Sequence, residues 1–513
     1  MSDLLLEIIS GEIPARMQSD AVKNFASNIQ ANITKVFGPS SVGNILSWIT
    51  PQRIGVYIES IIIDEATKAA TQEIRGPKHT APASAIEGFL AKNKLVKAQL
   101  YIVGDYYFAK PVSEAQPTDK LKQIIIETIK NFVWPKSMIS GNSSLRWVRP
   151  MKSILCLLDG KVLEFNYHHI NSCNKTYGHR FMAPQEIEVT SYSDYKTKLA
   201  NAWVIIDPKA RKDAILSQIS EILAQADVSL IEDDSLLNEI VGLVEFPKVF
   251  MGEIDDKFMT LPREVLITTL KSNQRYLMTE DKLSGKLAQF YLIVANIASE
   301  DAGKTLLEGN QRVLNARLND AMFFYEQDLK QPFESNIEKL HSLKYHNICS
   351  MYDKQLSVKN LAVKLASALS SIPTEKIERA VMLAKCDLLT NMVSEFPELQ
   401  ALMGYYYSIA NGEDKDVAVA VRDHYKPRGP NDALPENLLA SIIALADKLD
   451  SLNQLFAAGI KPSGSKDPFG LRRAAIGILR LVKCHNWSLA YDRLDIREDV
   501  QKFINDRQKA LLS

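Results

Sequence analysis

Three sets of residues in this sequence carry side chains suited to chemistry. His346, Cys386-Asp387 and Asp447 supply an imidazole, a thiol and two carboxylates across successive helical stretches. Imidazoles and carboxylates are ligand types for a divalent metal, and a metal so held can activate water. A thiol in that oxygen-and-nitrogen set favours soft metals over Mg2+ or Mn2+, and a lost ligand abolishes such a site, so no bound metal is expected. Asp447 and Asp450, in the run ALADKLD, sit near adjacent turns. They suit either a cation or ion pairing. Pairing with arginines of the Phe469–Arg480 helix is the default, because carboxylates rarely survive burial unpaired. The third set is basic. Lys136 to Lys152 carries Arg146 and Arg149 with no acid, and Lys461 to Arg480 carries Lys461, Lys466, Arg472, Arg473 and Arg480 against Asp467. Arginine forks suit phosphate oxygens, and Trp147 suits either stacking on an unpaired base or packing in a core. A solvated charged face is the competing reading of both stretches.

No self-contained active site accompanies these residues. The sequence has no GxxxxGK[ST] loop, no GxGxxG after a strand, no HExxH and no GxSxG. Its eight histidines are dispersed, and the adjacent His168 and His169 would point to opposite faces of a strand. No catalytic residue is nominated.

The elements that must position these residues change character along the chain. The first 300 residues or so alternate strand and helix patterns. Leu4 to Ile9 and Arg53 to Ile63 read as strands, and a helix follows Pro14 towards Phe37. Thr118 to Val133 is helical and stops before Pro135. Gln99 to Phe108 reads as strand, and Asp159-Gly160 marks a hairpin. From about Leu306 the pattern is almost wholly helical, with helices near Gln355–Leu369, Thr374–Ser394, Asp414–Asp423, Asn437–Phe456 and Phe469–Cys484. The expected fold is α+β and multidomain: a mixed α/β N-terminal half, then an all-helical region. The expected division is 1–210, 211–330 ending in a helix, 331–500 helical, and a short tail at 501–513.

Composition bounds the class. Of 513 residues 46% are hydrophobic and 24% charged, and 61 basic residues balance 61 acidic ones. This excludes a disordered chain, a basic nucleic-acid coat and a polybasic membrane anchor, so any nucleic-acid contact comes from local patches. Five scattered cysteines without a CxxC pair argue against disulfides and zinc ribbons and for a reducing cytoplasm. No apolar run approaches the ~20 residues of a membrane span.

Two resemblances extend this reading. The order histidine, Cys386-Asp387, Asp447 resembles the HD-type phosphohydrolases, with cysteine where that family has histidine. This implies a degenerate HD-like helical domain without metal; a working metal-dependent phosphohydrolase is the alternative. More widely, the chain is similar to the β subunit of bacterial heterotetrameric glycyl-tRNA synthetase. The matching stretches include Glu7-Ile8 with Gly11-Glu12-Ile13-Pro14, Thr50-Pro51-Gln52-Arg53-Ile54, Arg146-Trp147-Val148-Arg149-Pro150 and Gly178-His179-Arg180-Phe181. They continue through Leu243-Val244-Glu245-Phe246-Pro247, Leu261-Pro262-Arg263-Glu264, Asn310 to Phe324, Lys385-Cys386-Asp387-Leu388, His424-Tyr425, Ala446-Asp447-Lys448-Leu449-Asp450 and Lys466 to Ala475. Each is weak alone; collinear over nearly the whole chain, they are specific.

That resemblance implies a subunit that engages tRNA-Gly while an α subunit activates glycine with ATP and Mg2+, in an assembly of two α and two β chains. No cofactor is then bound by this chain. Arg146, Arg149, Lys461, Lys466, Arg472 and Arg473 are the candidate tRNA contacts; His346, Cys386, Asp387 and Asp447 are the degenerate HD positions. Departures are Gln52 where the family prefers arginine, Gln274-Arg275-Tyr276-Leu277, and Lys344 to Cys349. Family members continue into a C-terminal anticodon-binding domain, which this chain is expected to lack. A relic that no longer supports glycylation is a further alternative.

Overall fold

The structure, a computed structural model, describes residues 2–63, 74–93, 95–109, 116–140, 144–464 and 466–512. Residues 141–143 and Ser465, parts of the two basic stretches, lie outside the described residues. The chain forms two compact units, 1–252 with 275–308, and 253–274 with 309–513.

The first unit is built on the strand Ser2–Ser10, whose alternation sends Leu4, Leu6 and Ile8 to one face of a sheet and Leu5 to the other. The sheet runs Asn166–Tyr167, Ile170–Cys173, Met151–Leu158, Ser2–Ser10, Arg53–Ile61, Ile45–Ile49. Its pairings are antiparallel except that of Ile170–Cys173 with Met151–Leu158. The helix Ala15–Phe37 lays Met17, Ala21, Phe25, Ile29, Ile33 and Phe37 on one face, a stripe at helical spacing, and Pro117–Lys130 packs beside it. The helix Tyr192–Asn201, capped by Ser191, covers the other face through Tyr195 and Leu199. Asp159 and Gly160 turn with φ of 49° and 72°, the left-handed pair a two-residue hairpin needs. A four-stranded sheet, Val228–Leu230, Leu277–Asp281, Leu287–Ala295, Lys248–Glu253, completes the unit with its own helices and core.

Gln99 to Phe108, read as one strand, is a hairpin of Leu100–Val103 and Tyr106–Ala109, because Gly104 adopts a positive φ of 59° and reverses the chain.

In the second unit, fifteen of the twenty residues of the helix Leu438–Ala457 are buried, which makes it the central helix. It packs against Met351–Leu369, Lys415–Asp423 and Leu471–Cys484. Two expectations are corrected here. The unit is not all helical, since Lys344–Tyr345 pairs with Cys349–Ser350 across a turn in which His346 and Asn347 have positive φ. The helix expected over Thr374–Ser394 ends at Leu383, and Cys386–Leu389 forms a 3-10 turn before the short helix Asn391–Glu395. Side chains cause this break: the Thr390 hydroxyl donates to the Asp387 carbonyl at 2.7 Å and accepts from Val393 N, competing with helical bonding. Residues 501–512 lie in the helix Glu498–Leu512, with Val500 and Ile504 buried. No helix among the described residues is long and apolar enough to cross a membrane.

Candidate functional site

The centre of the second unit holds a buried charged cluster. Asp447 and Asp450 lie three residues apart on the central helix and so share one of its faces. The helix Met351–Leu369 brings Lys354, whose Nζ lies 2.6 Å from Asp450 Oδ2 and 3.6 Å from Asp447 Oδ1 and donates to the Asp447 carbonyl at 3.2 Å. Lys385, from the segment after Leu383, places its Nζ 3.5 Å from the same Asp447 Oδ1 and 3.7 Å from the centre of the Tyr425 ring, a cation–π contact. Lys448 donates to the carbonyls of Tyr425 and Lys426, at 2.8 and 3.0 Å. His424 is fully buried beside them, its Nδ1 2.6 Å from the Val421 carbonyl.

Burial alone would raise the Asp447 carboxyl, but Lys385 and Lys354 outweigh it and hold it well below the usual carboxylate range. Lys354 loses by burial and gains more from Asp447 and Asp450, reaching about 12. For Lys385 and Lys448 burial wins; both are lowered, Lys448 to about 8. His424 is pushed well down by burial and by Lys385.

The anticipated pairing of Asp447 and Asp450 with arginines is therefore replaced by pairing with lysines. Arg472 and Arg480 of the neighbouring helix instead donate to the carbonyls of Gly464 and Gly429. The sequence-predicted metal positions are only partly gathered. Asp387 is buried, but its Oδ2 accepts the Ala401 N–H at 2.5 Å, and burial raises its carboxyl to about 6. The Cys386 thiol faces the Met382 carbonyl at 3.3 Å. His346 packs its ring against Tyr345 and Phe469. No group of three or more His, Cys, Asp or Glu among the described residues suits a metal ion. The donor set does not fit the metal that a histidine–aspartate site holds, and the phosphohydrolase reading lacks its ligands.

The basic candidates divide by environment. Arg146 and Arg149 belong to the first unit and the others to the second. Arg146 is exposed, with a 3.3 Å contact to the Ser137 hydroxyl, whereas Arg149 is half-buried and donates to the Val148 carbonyl. Lys461 is paired with Asp499 at 2.8 Å, and Arg472 is half-buried. Lys466 and Arg473 are exposed, with no carboxylate partner among the described residues. Trp147 is buried against Phe25, Phe132 and Trp134, which assigns it to the core and removes it as a base-stacking platform.

The sequence matches the family described as "Glycyl-tRNA synthetase beta subunit" over residues 4–513. The glycine–tRNA ligase beta subunit of Phenylobacterium zucineum is 40% identical over 518 residues, covering 100% of this chain and 76% of the relative. That of Dinoroseobacter shibae is 41% identical, covering 94% of this chain and 68% of its own length, and that of Rickettsia bellii is 37% identical, covering 100% and 77%. The chain belongs to the glycyl-tRNA synthetase beta subunit family.

As a beta subunit, the protein uses several of its collinear motifs to make one buried network. Arg53 lies between Glu245, at 2.8 Å from Nε to Oε1, and Glu7, at 3.3 Å. Thr50 donates to Glu245 at 2.6 Å, while Thr176 and Tyr195 each donate to Glu7 at 2.5 Å. Burial disfavours the Arg53 charge, yet Glu245 and Glu7 reverse this and raise it. Glu245 is correspondingly held low. Residues far apart in sequence thus satisfy one another's buried charges. Lys385, His424 and Lys448 likewise stand in matched stretches of the beta subunit, but their shared site is visible only after folding. Lys354 and Arg211 carried no sequence signal. Arg211 is fully buried and donates to the carbonyls of Ile49, Ile205, Ile206 and Val241.

Proposed function

We propose that this beta subunit binds tRNA-Gly and holds its 3′ end for ATP-dependent glycylation at the active site of an α subunit. The match of residues 4–513 to the family carries this reading. Glycine, ATP and Mg2+ are then bound by the α subunit, and the working assembly is two α and two β chains in the cytoplasm. The contribution of this chain is positional: fixing the ribose hydroxyl against the activated carbonyl converts a bimolecular encounter into an effectively intramolecular one. Of the six basic candidates, exposed Arg146, Lys466 and Arg473 are the main phosphate contacts, because Lys461 is held by a carboxylate and Arg149 and Arg472 are half-buried on backbone carbonyls. The second unit is read as a degenerate HD-like module, on the support that Asp387 and Asp447 both neighbour Tyr425 within its buried centre. The finer division at 210, 330 and 500 belongs to the same proposal.

The test is glycine attachment to tRNA-Gly with ATP, using the cognate α subunit with and without this chain. Glycylation that requires both chains is the expected result. An α subunit that binds this chain yet forms no glycyl-tRNA would identify a relic and overturn the proposal.

A further inference from the structure

We propose that Lys354 and Lys385 take the place of the divalent cation of a histidine–aspartate site, so that this helical unit is built around an internal, tethered cation and has no use for a metal. The inference rests on reading Asp387 and Asp447 as a vestigial ligand pair. Its first support is the position of Asp447 Oδ1. This buried oxygen makes no hydrogen bond and lies at nearly equal distance, 3.6 and 3.5 Å, from two ammonium groups. It is held by charge, as a carboxylate is held by a metal.

The second support is what remains around it. Asp387 Oδ1 and His424 Nε2 are also buried and without hydrogen-bond partners, although His424 feels the charges of Asp447 and Lys385. Unpaired acceptors and ring nitrogens of this kind are rare in folded cores. With Asp447 Oδ1 they are oxygen and nitrogen atoms of the kinds a hard or borderline cation takes, although as the chain is folded no three such groups among the described residues are gathered to hold one. The third support is charge. Lys354 and Lys385 stand against Asp447 and Asp450, all buried, so a 2+ ion would meet no uncompensated negative charge on that pair. An ammonium group has only donors to offer and cannot itself ligate a metal, so each lysine excludes the ion it replaces.

The experiment uses the full chain and Mn2+ as probe. Wild-type protein is expected to keep the same melting temperature in EDTA and in millimolar Mn2+ and to retain no Mn2+ after desalting. Lys385→Met leaves Asp447 with Lys354 alone, and the double variant Lys354→Met/Lys385→Met leaves Asp447 and Asp450 without a close cation; both should melt lower, the double variant by about 6–15 °C. Added Mn2+ should recover part of that loss, saturably, with bound Mn2+ visible by electron paramagnetic resonance. Asp447→Asn in the Lys385→Met background should abolish the recovery. Should the double variant fail to fold, Lys385→Gln, which keeps Lys354 on Asp450, carries the same readout. Stoichiometric Mn2+ on the wild-type chain would overturn the vestigial-site reading itself. Lysine variants that lose stability yet take up no Mn2+ would overturn the substitution and leave an ordinary buried ion pair.

Discussion

Asp387 shows how burial and a local bond divide one side chain. Its Oδ2 takes a backbone N–H, which favours the anion, but enclosure without a close cation dominates and raises the carboxyl to about 6. Folding thus raises this pKa above its ordinary 3.8, so the stabilising contribution is full below about pH 4 and is lost as pH rises through 6. The stability of the wild type relative to Asp387→Asn should therefore fall by about 2–3 kcal/mol between pH 4 and 7 in urea unfolding. Identical pH dependence in the two proteins would refute this. Glu245 behaves oppositely, since Arg53 keeps it ionised at a site where burial alone would protonate it. Glu245→Gln should cost about 3–5 kcal/mol by leaving Arg53 half-compensated, and Arg53→Met added to it should cost less than the sum of the two single changes. Strict additivity would show that the two groups are not coupled.

At the scale of elements, close approach decides more than propensity. The helices Leu402–Ala410 and Lys415–Asp423 meet at Gly404, where an added Cβ would lie 2.7 Å from Val421 Cγ1 and 3.4 Å from Asp387 Cγ. Gly404→Ala should destabilise by about 1–3 kcal/mol despite the better helix propensity of alanine. A stabilised variant in chemical denaturation would mean that this contact relaxes freely. In the sheet of the first unit the Trp48 indole lies over Gly55, its Cζ2 2.3 Å from an added Cβ, and its Nε1 donates to Tyr195 at 2.9 Å. A side chain at 55 would displace the indole that joins the strand Ile45–Ile49 to the helix Tyr192–Asn201.

At the scale of the whole molecule, the formal charge of zero makes nucleic-acid binding a matter of placed side chains. Alanine at Lys466 or Arg473 should weaken tRNA-Gly binding and reduce the salt slope by about one unit each, as loss of a phosphate contact does. Alanine at Lys461 should do less, because Asp499 already occupies it. Filter binding across a salt series separates these cases. Equal effects at all three positions would point to a diffuse field rather than to contacts.

Periodicity and residue type were enough for the strand at Leu4–Ile9, the helix from Pro14 towards Phe37 and the hairpin at Asp159-Gly160, because each depends on neighbours within a few residues. The motif series was enough for the family. The sequence also marked Asp447 and Asp450 as unusual, but named arginines as their companions. Tertiary structure decided that Lys354, 93 residues before Asp447, enters the cluster, that Arg146 and Arg473 stay in water, and that Trp147 does not. It also joined Glu7, Arg53 and Glu245 across almost 240 residues. The physical reason is common to all of these. A local pattern specifies which face of an element is apolar, whereas the partner of a buried charge is set by which distant element crosses that face.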